Sequence, residues 1–194
     1  MDYITKYTTN IFTATAKVIY DKYNDYCKND SFNSKTNRLN NNINLLTQAS
    51  YFFGDPIHII DNLYLGSAYN AASYYKLKDI YNIKLIINAT KEISNYYPDY
   101  FEYKNYDLLD INDDSITEHL EDAYNFITKN KDKNILVHCF MGASRSASLI
   151  SYYIMKKYDK SLEETIDFIT ERRKIININT TFAQELKESR VIPT

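Results

Sequence analysis

Residues 134–148 read NILVHCFMGASRSAS, and the rest of the chain is arranged around them. The apolar run Ile135–Val137 predicts a short buried strand, and the segment from Arg145 onward predicts the start of a helix. A tight loop with Gly142, one of the three glycines in the sequence, joins the two. In such a junction several backbone N–H groups point into one concavity, and the helix N-terminus adds partial positive charge. The stretch therefore predicts an α/β fold with an anion site, and phosphate is the anion that we expect.

Two side chains make this predicted concavity a site of reaction. Cys139 stands at the end of the strand, where loop amides and a helix start favour the thiolate, a competent nucleophile. Arg145 returns at the far side of the loop and offers a planar fork of donors to two phosphoryl oxygens. Ser146 follows, and we expect its hydroxyl to hydrogen-bond the sulfur and make it a better leaving group. We expect His138 to orient the loop rather than to titrate.

Each of these residues has a plainer interpretation when it is taken alone. A single cysteine at the end of an apolar strand is usually a small buried apolar residue, and an arginine near a helix start is usually solvated. The combination of Cys139, Arg145 and Ser146 at this spacing, between a strand and a helix, favours the catalytic interpretation.

At residues 138–146 the sequence resembles the protein-tyrosine phosphatase superfamily, whose signature is His-Cys, five residues, Arg and then Ser or Thr. Other segments are similar to the small dual-specificity branch: residues 60–67 and 85–90 to its first strands, and residues 172–182 to its last helical region. The resemblance covers about residues 56–194. It implies a central mixed, mostly parallel sheet of about five strands flanked by helices, as in protein-tyrosine phosphatases. The N-terminal helical extension that we expect before this domain is predicted separately, from the spacing of apolar residues in the first part of the chain.

The resemblance also implies roles within the loop. We expect these loop residues to bind the substrate phosphate: Phe140, Met141, Gly142, Ala143, Ser144 and Arg145. Phe140 and Met141 are bulkier than is usual in the branch. The implied reaction is the hydrolysis of phosphotyrosine and of phosphoserine or phosphothreonine in phosphoproteins. It proceeds through a cysteinyl-phosphate intermediate, without a metal or a cofactor.

The loop of residues 107–114 carries four aspartates. When a cysteine attacks a phosphate ester, the departing oxygen needs a proton, which a carboxylic acid in a mobile loop can supply. Counted back from the helix segment 123–127, the general acid of the family falls on Asp110. We expect the other aspartates to be solvated or to cap the following helix. Asn88 and Asn179 are expected to support the site, Asn88 by a hydrogen bond to the phosphate loop.

Local patterns place the remaining elements. Short apolar runs predict strands, helical spacing predicts helices, and two Ser-x-x-Glu capping boxes mark helix starts. The predicted strands cover residues 58–60, 63–65, 84–88 and, at an edge of the sheet, 101–109; the predicted helices cover residues 70–81, 115–129 and 161–173, the last two opened by the boxes Ser115–Glu118 and Ser161–Glu164.

Three segments of different character divide the chain. Residues 1–27 have apolar positions at helical spacing and predict an amphipathic helical extension. Residues 28–55 are predicted as a flexible Asn-rich linker, and residues 56–194 as the dual-specificity phosphatase catalytic domain. The amphipathic helix has two comparable interpretations: it packs on the domain of a monomer, or it pairs two copies into a homodimer.

Composition excludes several classes of protein. A chain of 194 residues that is 44% hydrophobic and 25% charged predicts one domain with a substantial core. A net charge of -2 gives no general attraction to nucleic acid or to an anionic membrane. The sequence has two cysteines and no run of about twenty apolar residues, and we expect no signal peptide. We therefore expect a soluble protein of a reducing intracellular compartment, the cytoplasm or the nucleus.

Two alternatives to a protein phosphatase stay open. The first is a phospho-binding pseudophosphatase, an interaction module that has typically lost the cysteine, the arginine or the acid. Here Cys139, Arg145 and Asp110 are all present, which weighs against it. The second is a phosphatase of lipid or RNA phosphates. Residues 140–144 lack the lysine that is common in the loop of phosphoinositide phosphatases, which weighs against this alternative too.

Overall fold

The structure is a computed structural model that describes residues 45–189. The predicted amphipathic helix of residues 1–27, and residues 28–44 of the predicted linker, lie outside the described residues. No helix within residues 45–189 is long and apolar enough to cross a membrane. The described chain forms these elements in order: helix α1 (Leu45–Phe53), strands β1 (Ile57–Ile60) and β2 (Leu63–Gly66), helix α2 (Ala68–Ala71), a π-helical turn (Lys76–Ile80), strands β3 (Ile83–Asn88) and β4 (Glu102–Asn105), helix α3 (Thr117–Lys129), strand β5 (Asn134–His138), and helices α4 (Arg145–Tyr158), α5 (Leu162–Arg172) and α6 (Thr180–Ser189).

The five strands of the described chain form one mixed sheet in the order β1-β2-β5-β3-β4. β1 pairs antiparallel with β2, and the other neighbouring pairs are parallel. This confirms the predicted mixed, mostly parallel sheet, including the edge strand expected within residues 101–109. Ile135–Val137 of β5 are fully buried, as expected of a central strand in a sheet that is covered on both faces.

Alternate residues of the central strand face two separate apolar clusters. Ile135 and Val137 belong to the larger cluster, together with buried residues of helices α3 to α6. Leu136 belongs to the smaller cluster, with Leu77 of the π-helical turn and Phe101. Burial of apolar side chains on both faces therefore stabilises β5 at the centre of the sheet.

The carboxyl ends of β2, β5 and β3 meet at one edge of the sheet. In the strand pairings His138, the last residue of β5, lies opposite Gly66 on one side and Asn88 on the other. The N–H of Ala89 also donates to the carbonyl of His138 at 2.9 Å. Binding crevices of α/β sheets lie outside such carboxyl ends. The loop after His138 therefore starts between two neighbouring strand ends, where a ligand site is expected.

Helix α1 corrects the predicted linker. The linker expected over residues 28–55 is wrong for residues 45–53, which form this helix. The physical reason is burial, because the side chain of Phe52 is only 5% exposed. The hydroxyl of Ser67 also donates a hydrogen bond to the carbonyl of Phe52 at 2.7 Å. The end of α1 is therefore attached to the domain.

The helix predicted over residues 70–81 is divided in the structure. α2 ends at Ala71, and the π-helical turn begins at Lys76. Between them the hydroxyl of Tyr97 donates to the carbonyl of Ala72 at 2.7 Å. In a continuous helix the carbonyl of Ala72 would accept from a backbone N–H of the next turn. Here the hydroxyl of Tyr97 occupies this carbonyl instead.

The two predicted capping boxes have different outcomes. α5 begins with the predicted box: Ser161 accepts from the N–H of Glu164 at 3.0 Å, and Glu164 accepts from the N–H of Ser161 at 2.8 Å. The box predicted at Ser115–Glu118 is wrong, because α3 has no side-chain cap. Instead Glu185 of α6 accepts from the N–H of Ile116 at 2.8 Å. A tertiary contact replaces the local cap.

Replacement of Ser161 by alanine removes the cap of α5 and is expected to lower the free energy of unfolding by about 1 kcal/mol. Ser115→Ala is the matched control, because Ser115 caps no helix and, within residues 45–189, its hydroxyl accepts only a long hydrogen bond of 3.3 Å from the N–H of Thr117. We expect it to cost less than about half as much. Urea denaturation measures both losses, and equal losses would contradict this account of the two helix starts.

Candidate active site

Cys139 is the first residue after β5, and only 2% of its surface is exposed. Its Sγ accepts a hydrogen bond from the N–H of Gly142 at 3.2 Å and another from the hydroxyl of Ser146 at 3.2 Å. Both donors suit a thiolate, the form in which a cysteine attacks. The structure thus brings the predicted nucleophile and Ser146 into direct contact.

The loop between β5 and α4, called the phosphate loop below, turns its carbonyl groups outward. Each carbonyl from residue 140 to residue 143 has a partner outside the loop. The partners are the N–H of Ala68 for Phe140 (3.0 Å), the guanidinium of Arg173 for Met141 and Gly142 (2.7 Å each), and the N–H of Asn177 for Ala143 (2.9 Å). In a planar trans peptide the N–H of the next residue points the opposite way. The loop therefore forms a concavity lined with N–H groups, which attracts an anion.

Gly142 is required at its position in this loop. Its φ of +69° lies in the left-handed region, which glycine adopts without strain. A Cβ on this residue would lie 2.8 Å from Nη2 of Arg173 and would also collide with the carbonyl of Gly66. The close approach of these neighbours leaves no room for a side chain, so a substitution here would displace the loop.

Arg145 is the first residue of α4, and its side chain is only 3% exposed. Its Nη1 donates to the carboxylate of Glu92 at 2.8 Å and to the carbonyl of Leu108 at 3.0 Å. Its buried Nε has no hydrogen-bond partner within the described residues, so a donor remains available for a bound oxygen. Burial alone would lower the pKa of Arg145, but the charges of Cys139, Glu92 and Asp110 outweigh burial and raise it.

Glu92 is a site residue that the sequence interpretation missed. It lies in the loop after β3, whose carboxyl end adjoins that of β5. An acidic residue just beyond the end of a parallel strand is a signal that could have marked it, since such ends converge on one edge. Glu92 balances the charge of Arg145 and fixes one end of its guanidinium.

Asp110 lies against the phosphate loop. Its Oδ1 accepts a hydrogen bond from the hydroxyl of Ser144 at 2.7 Å and another from the side-chain amide of Asn179 at 3.2 Å. The N–H of Asn179 in turn donates to the hydroxyl of Ser144 at 3.2 Å. The structure thus brings the predicted acid, one loop residue and Asn179 together in one hydrogen-bonded group.

A second aspartate of the same segment has a different environment. Asp114 accepts from the N–H of Leu109 at 2.6 Å and from the N–H of Ser115 at 3.1 Å, so it shapes its own loop. Asp113 is exposed. Leu109 and Ile111, on either side of Asp110, are 37% and 50% exposed apolar residues.

Arg173 is the second residue whose role the sequence interpretation missed. It is completely buried, and its Nε and Nη2 hold the carbonyls of Gly142 and Met141. Burial lowers the pKa of Arg173 to about 10, against the raising effect of Cys139 and Tyr51, so the side chain is still cationic at neutral pH. The sequence shows two adjacent arginines at 172–173, and only the packing reveals which one enters the core.

His138 is the last residue of β5, just before the nucleophile, and is 1% exposed. Its Nδ1 lies 3.4 Å from the carbonyl oxygen of Cys139. Burial lowers the pKa of His138 to about 4; the hydrogen bond to Cys139 opposes this effect, and the positive charge of Arg145 adds to it. The imidazole is therefore neutral at physiological pH.

Asn88 does not make the predicted hydrogen bond to the phosphate loop, and this expectation is wrong. Its side-chain amide donates to the carbonyl of Ile93 at 2.7 Å and to Asn95 at 3.1 Å, and its oxygen accepts from Thr90 at 2.7 Å. The chain after β3 folds back over Asn88 and takes up its hydrogen-bonding groups. Asn88 thus shapes the loop that carries Glu92.

Within residues 45–189, no group of three or more His, Cys, Asp or Glu side chains is suited to hold a metal ion. The chemically notable groups of the site are a buried sulfur, inward N–H groups, a buried arginine and a carboxylate at the rim. A strand, loop and helix with this set of groups define the class of cysteine-based phosphatases that the sequence resembles.

Comparisons with known proteins agree with this class. The family model of the dual specificity phosphatase catalytic domain matches residues 63–191. Protein phosphatase Slingshot homolog 2 of Homo sapiens is 38% identical over 137 residues, which are 69% of this chain and 9% of that protein. Dual specificity protein phosphatase 1-A of Xenopus laevis is 35% identical over 138 residues, which are 70% of this chain and 37% of that protein.

A solved structure shows the same fold. The human tyrosine phosphatase-like serine/threonine/tyrosine-interacting protein superimposes with a TM-score of 0.65 at 25% identity, covering 70% of this chain and 95% of that one. The chain belongs to the dual-specificity phosphatase family, and the predicted family and fold class are confirmed. It spans much less than half the length of the two curated relatives described above.

The burial of His138 predicts a pH dependence of stability. The pKa of this group is about 4 in the folded chain and 6.5 when exposed, so below pH 6.5 the unfolded chain binds a proton that the native chain does not. Stability should therefore fall as the pH falls, and His138 should account for about 2 kcal/mol of the loss between pH 7 and pH 5.

Urea denaturation at pH 7 and pH 5, with the native chain and the His138→Asn variant, measures this contribution. Asparagine does not titrate, so the variant should lose less stability over this interval, whatever its stability at pH 7. Equal losses in the two proteins would contradict the buried, neutral imidazole.

Proposed function

We propose that this chain is a protein phosphatase that hydrolyses phosphate monoesters on phosphotyrosine and on phosphoserine or phosphothreonine, with Cys139 as the nucleophile. The observation that carries the proposal is the position of Cys139 Sγ, which accepts hydrogen bonds from Gly142 and Ser146 beside the inward N–H groups of the phosphate loop. Membership of the dual-specificity phosphatase family supports protein phosphatase activity.

Fixed positive charge binds the phosphate in this proposal. The N–H groups of residues 140–145 and the N-terminus of α4 receive the phosphoryl oxygens. Arg145 donates to two of these oxygens. Glu92 and the carbonyl of Leu108 occupy Nη1 of Arg145, and the remaining donors serve the substrate.

The first chemical step forms a bond between Cys139 sulfur and phosphorus. The thiolate attacks in line, and the bond between phosphorus and the departing oxygen breaks. Asp110 gives its proton to that oxygen, so a neutral alcohol or phenol leaves. Its hydrogen bonds with Ser144 and Asn179 hold this acid beside the loop, which supports the role.

The second step returns the enzyme to its starting state. Water attacks phosphorus, and Asp110, now a carboxylate, accepts the proton that the water loses. The sulfur–phosphorus bond breaks, and the hydroxyl of Ser146 stabilises the departing thiolate from a distance of 3.2 Å. Inorganic phosphate is released, and no metal ion is needed at any point.

Electrostatic stabilisation is the main catalytic effect in this scheme. Phosphate monoesters hydrolyse so slowly that enzymes accelerate the reaction by up to about 10²¹-fold. The transition state spreads negative charge over the equatorial oxygens, and fixed donors around them stabilise it without reorganisation. The buried cation of Arg145 and the anchored amides of the phosphate loop are such donors.

The natural substrate is proposed only as a class, phosphoproteins. The relatives reported above are named as protein phosphatases, which favours a phosphoprotein over a lipid or an RNA. The phosphate loop also has no lysine between Cys139 and Arg145. A pseudophosphatase is disfavoured because Cys139, Arg145 and Asp110 are all present.

Turnover of phosphotyrosyl and phosphothreonyl peptides, measured as phosphate release in the presence of EDTA, tests the proposal. Cys139→Ser should abolish release from both peptides, because the nucleophile is lost. Asp110→Asn should lower it by about 100-fold or more, because the leaving oxygen is no longer protonated.

Asp113→Asn is the matched control, since Asp113 is an exposed aspartate of the same segment, and its turnover should equal that of the native chain. Full activity of Cys139→Ser would contradict the mechanism. Tight binding of the peptides without any turnover by the native chain would favour the pseudophosphatase instead.

A further inference from the structure

Helix α1 contacts the phosphate loop directly. The rings of Phe52 and Phe140 lie 5.7 Å apart between centroids, and the two side chains are only 5% and 6% exposed. α1 ends at residue 53, so it lies outside residues 63–191, which the family model matches. A helix from outside the matched domain thus covers the residue that follows the nucleophile.

Arg173 connects the same helix to the loop a second time. Its Nη2 donates to the carbonyl of Tyr51 in α1 at 3.2 Å and to the carbonyl of Met141 at 2.7 Å, and its Nε donates to the carbonyl of Gly142 at 2.7 Å. Burial of a charged side chain is costly unless polar groups surround it. Here three carbonyl groups, one from α1 and two from the loop, supply that environment.

The end of α1 is also fixed to the segment that holds Phe140. The hydroxyl of Ser67 donates to the carbonyl of Phe52 at 2.7 Å, and the side-chain amide of Asn70 donates to the carbonyl of Gly54 at 2.7 Å. The next residue after Ser67, Ala68, donates its N–H to the carbonyl of Phe140 at 3.0 Å. α1, the start of α2 and the phosphate loop therefore form one packed unit.

We propose that α1 and Arg173 brace the phosphate loop, with Phe52 and Arg173 as positioning residues for phosphate binding. The inference rests on the proposed function, since it assigns the loop to phosphate. Arg173 keeps the carbonyls of Met141 and Gly142 outward, and the inward N–H groups follow from that direction. Phe52 keeps Phe140 in place at the start of the loop.

The physical basis is the small tolerance of such a site. Removal of the Phe52 ring leaves Phe140 without part of its packing, so the backbone beside Cys139 can relax into the space. The N–H groups then no longer converge on one point. A displacement of about 1 Å in a catalytic arrangement can cost roughly 100-fold in rate, so an effect on phosphate binding is expected even from a modest shift.

The test compares Phe52→Ala with Phe53→Ala in the full chain. Phe53 is the neighbouring aromatic residue of α1; it is 43% exposed, and its ring contacts Phe52 and Tyr69. The readouts are kcat/KM for para-nitrophenyl phosphate and the inhibition constant of inorganic phosphate. Phe52→Ala should lower kcat/KM and raise the inhibition constant, each by about tenfold or more. Phe53→Ala should change neither by more than about twofold.

Two further variants separate positioning from folding. Phe52→Leu keeps much of the apolar contact and should restore most of the activity that Phe52→Ala loses. Arg173→Lys keeps the charge but loses the fork that spans the loop carbonyls, so it should also weaken phosphate inhibition. Thermal unfolding of each variant shows whether its activity was measured on folded protein. If Arg173→Lys does not fold, the result for Phe52→Ala decides the test.

The brace is contradicted if Phe52→Ala unfolds at a lower temperature but keeps the native inhibition constant and kcat/KM, since a purely structural role moves only stability. It is also contradicted if Phe53→Ala has the same effect as Phe52→Ala. Failure of the proposed function would look different, because the native chain itself would then show no turnover. In that case the variants can still be compared by the rate at which iodoacetate alkylates Cys139. The degree to which inorganic phosphate slows this alkylation then reports phosphate binding in each variant.

Discussion

The outward anchoring of the phosphate-loop carbonyls is the constraint on which the site depends. The carbonyls of residues 140–143 are bound from outside the loop by Ala68, Arg173 and Asn177. Because the carbonyl and the N–H of a planar trans peptide point in opposite directions, the N–H groups of the loop then point inward. The anchors come from two parts of the chain that are distant from the loop in sequence, residue 68 and residues 173–177. The anion site is therefore a product of the whole fold, and the signature sequence alone does not create it.

The sheet explains why polar groups can be buried at this edge. Apolar residues of β5 fill both faces, and the strand delivers His138 and Cys139 to a point between two other strand ends. Buried polar groups are costly unless each has a partner. Arg145 has Glu92 and the sulfur has Ser146, while His138 stays neutral. The apolar core below thus stabilises an arrangement that would be unfavourable on its own.

Much of this could be predicted from the sequence, and most of the parts that could not depend on tertiary contacts. Short apolar runs gave the strands, and the spacing from Cys139 to Ser146 predicted a contact that the structure contains. The missed features, which are Glu92, Arg173 and helix α1, depend on contacts between segments far apart in the chain. The cap predicted at Ser115 failed for the same reason, because a tertiary contact with Glu185 replaced a local one. The hydrogen bond expected from Asn88 to the phosphate loop failed for the opposite reason, because partners close to it in the chain take up its side chain: Thr90, Ile93 and Asn95.

The central claim is that phosphate passes through a covalent bond to Cys139, and trapping that intermediate tests it most directly. In the Ser146→Ala variant the bond between sulfur and phosphorus should break slowly, so the cysteinyl-phosphate intermediate should accumulate. The variant would be mixed with a phosphotyrosyl peptide and quenched in acid within the first turnover, and mass spectrometry of its peptides would follow. The account predicts a phosphoryl group on Cys139. Release of peptide product with no phosphoryl group on Cys139, or with one on another residue, would contradict it.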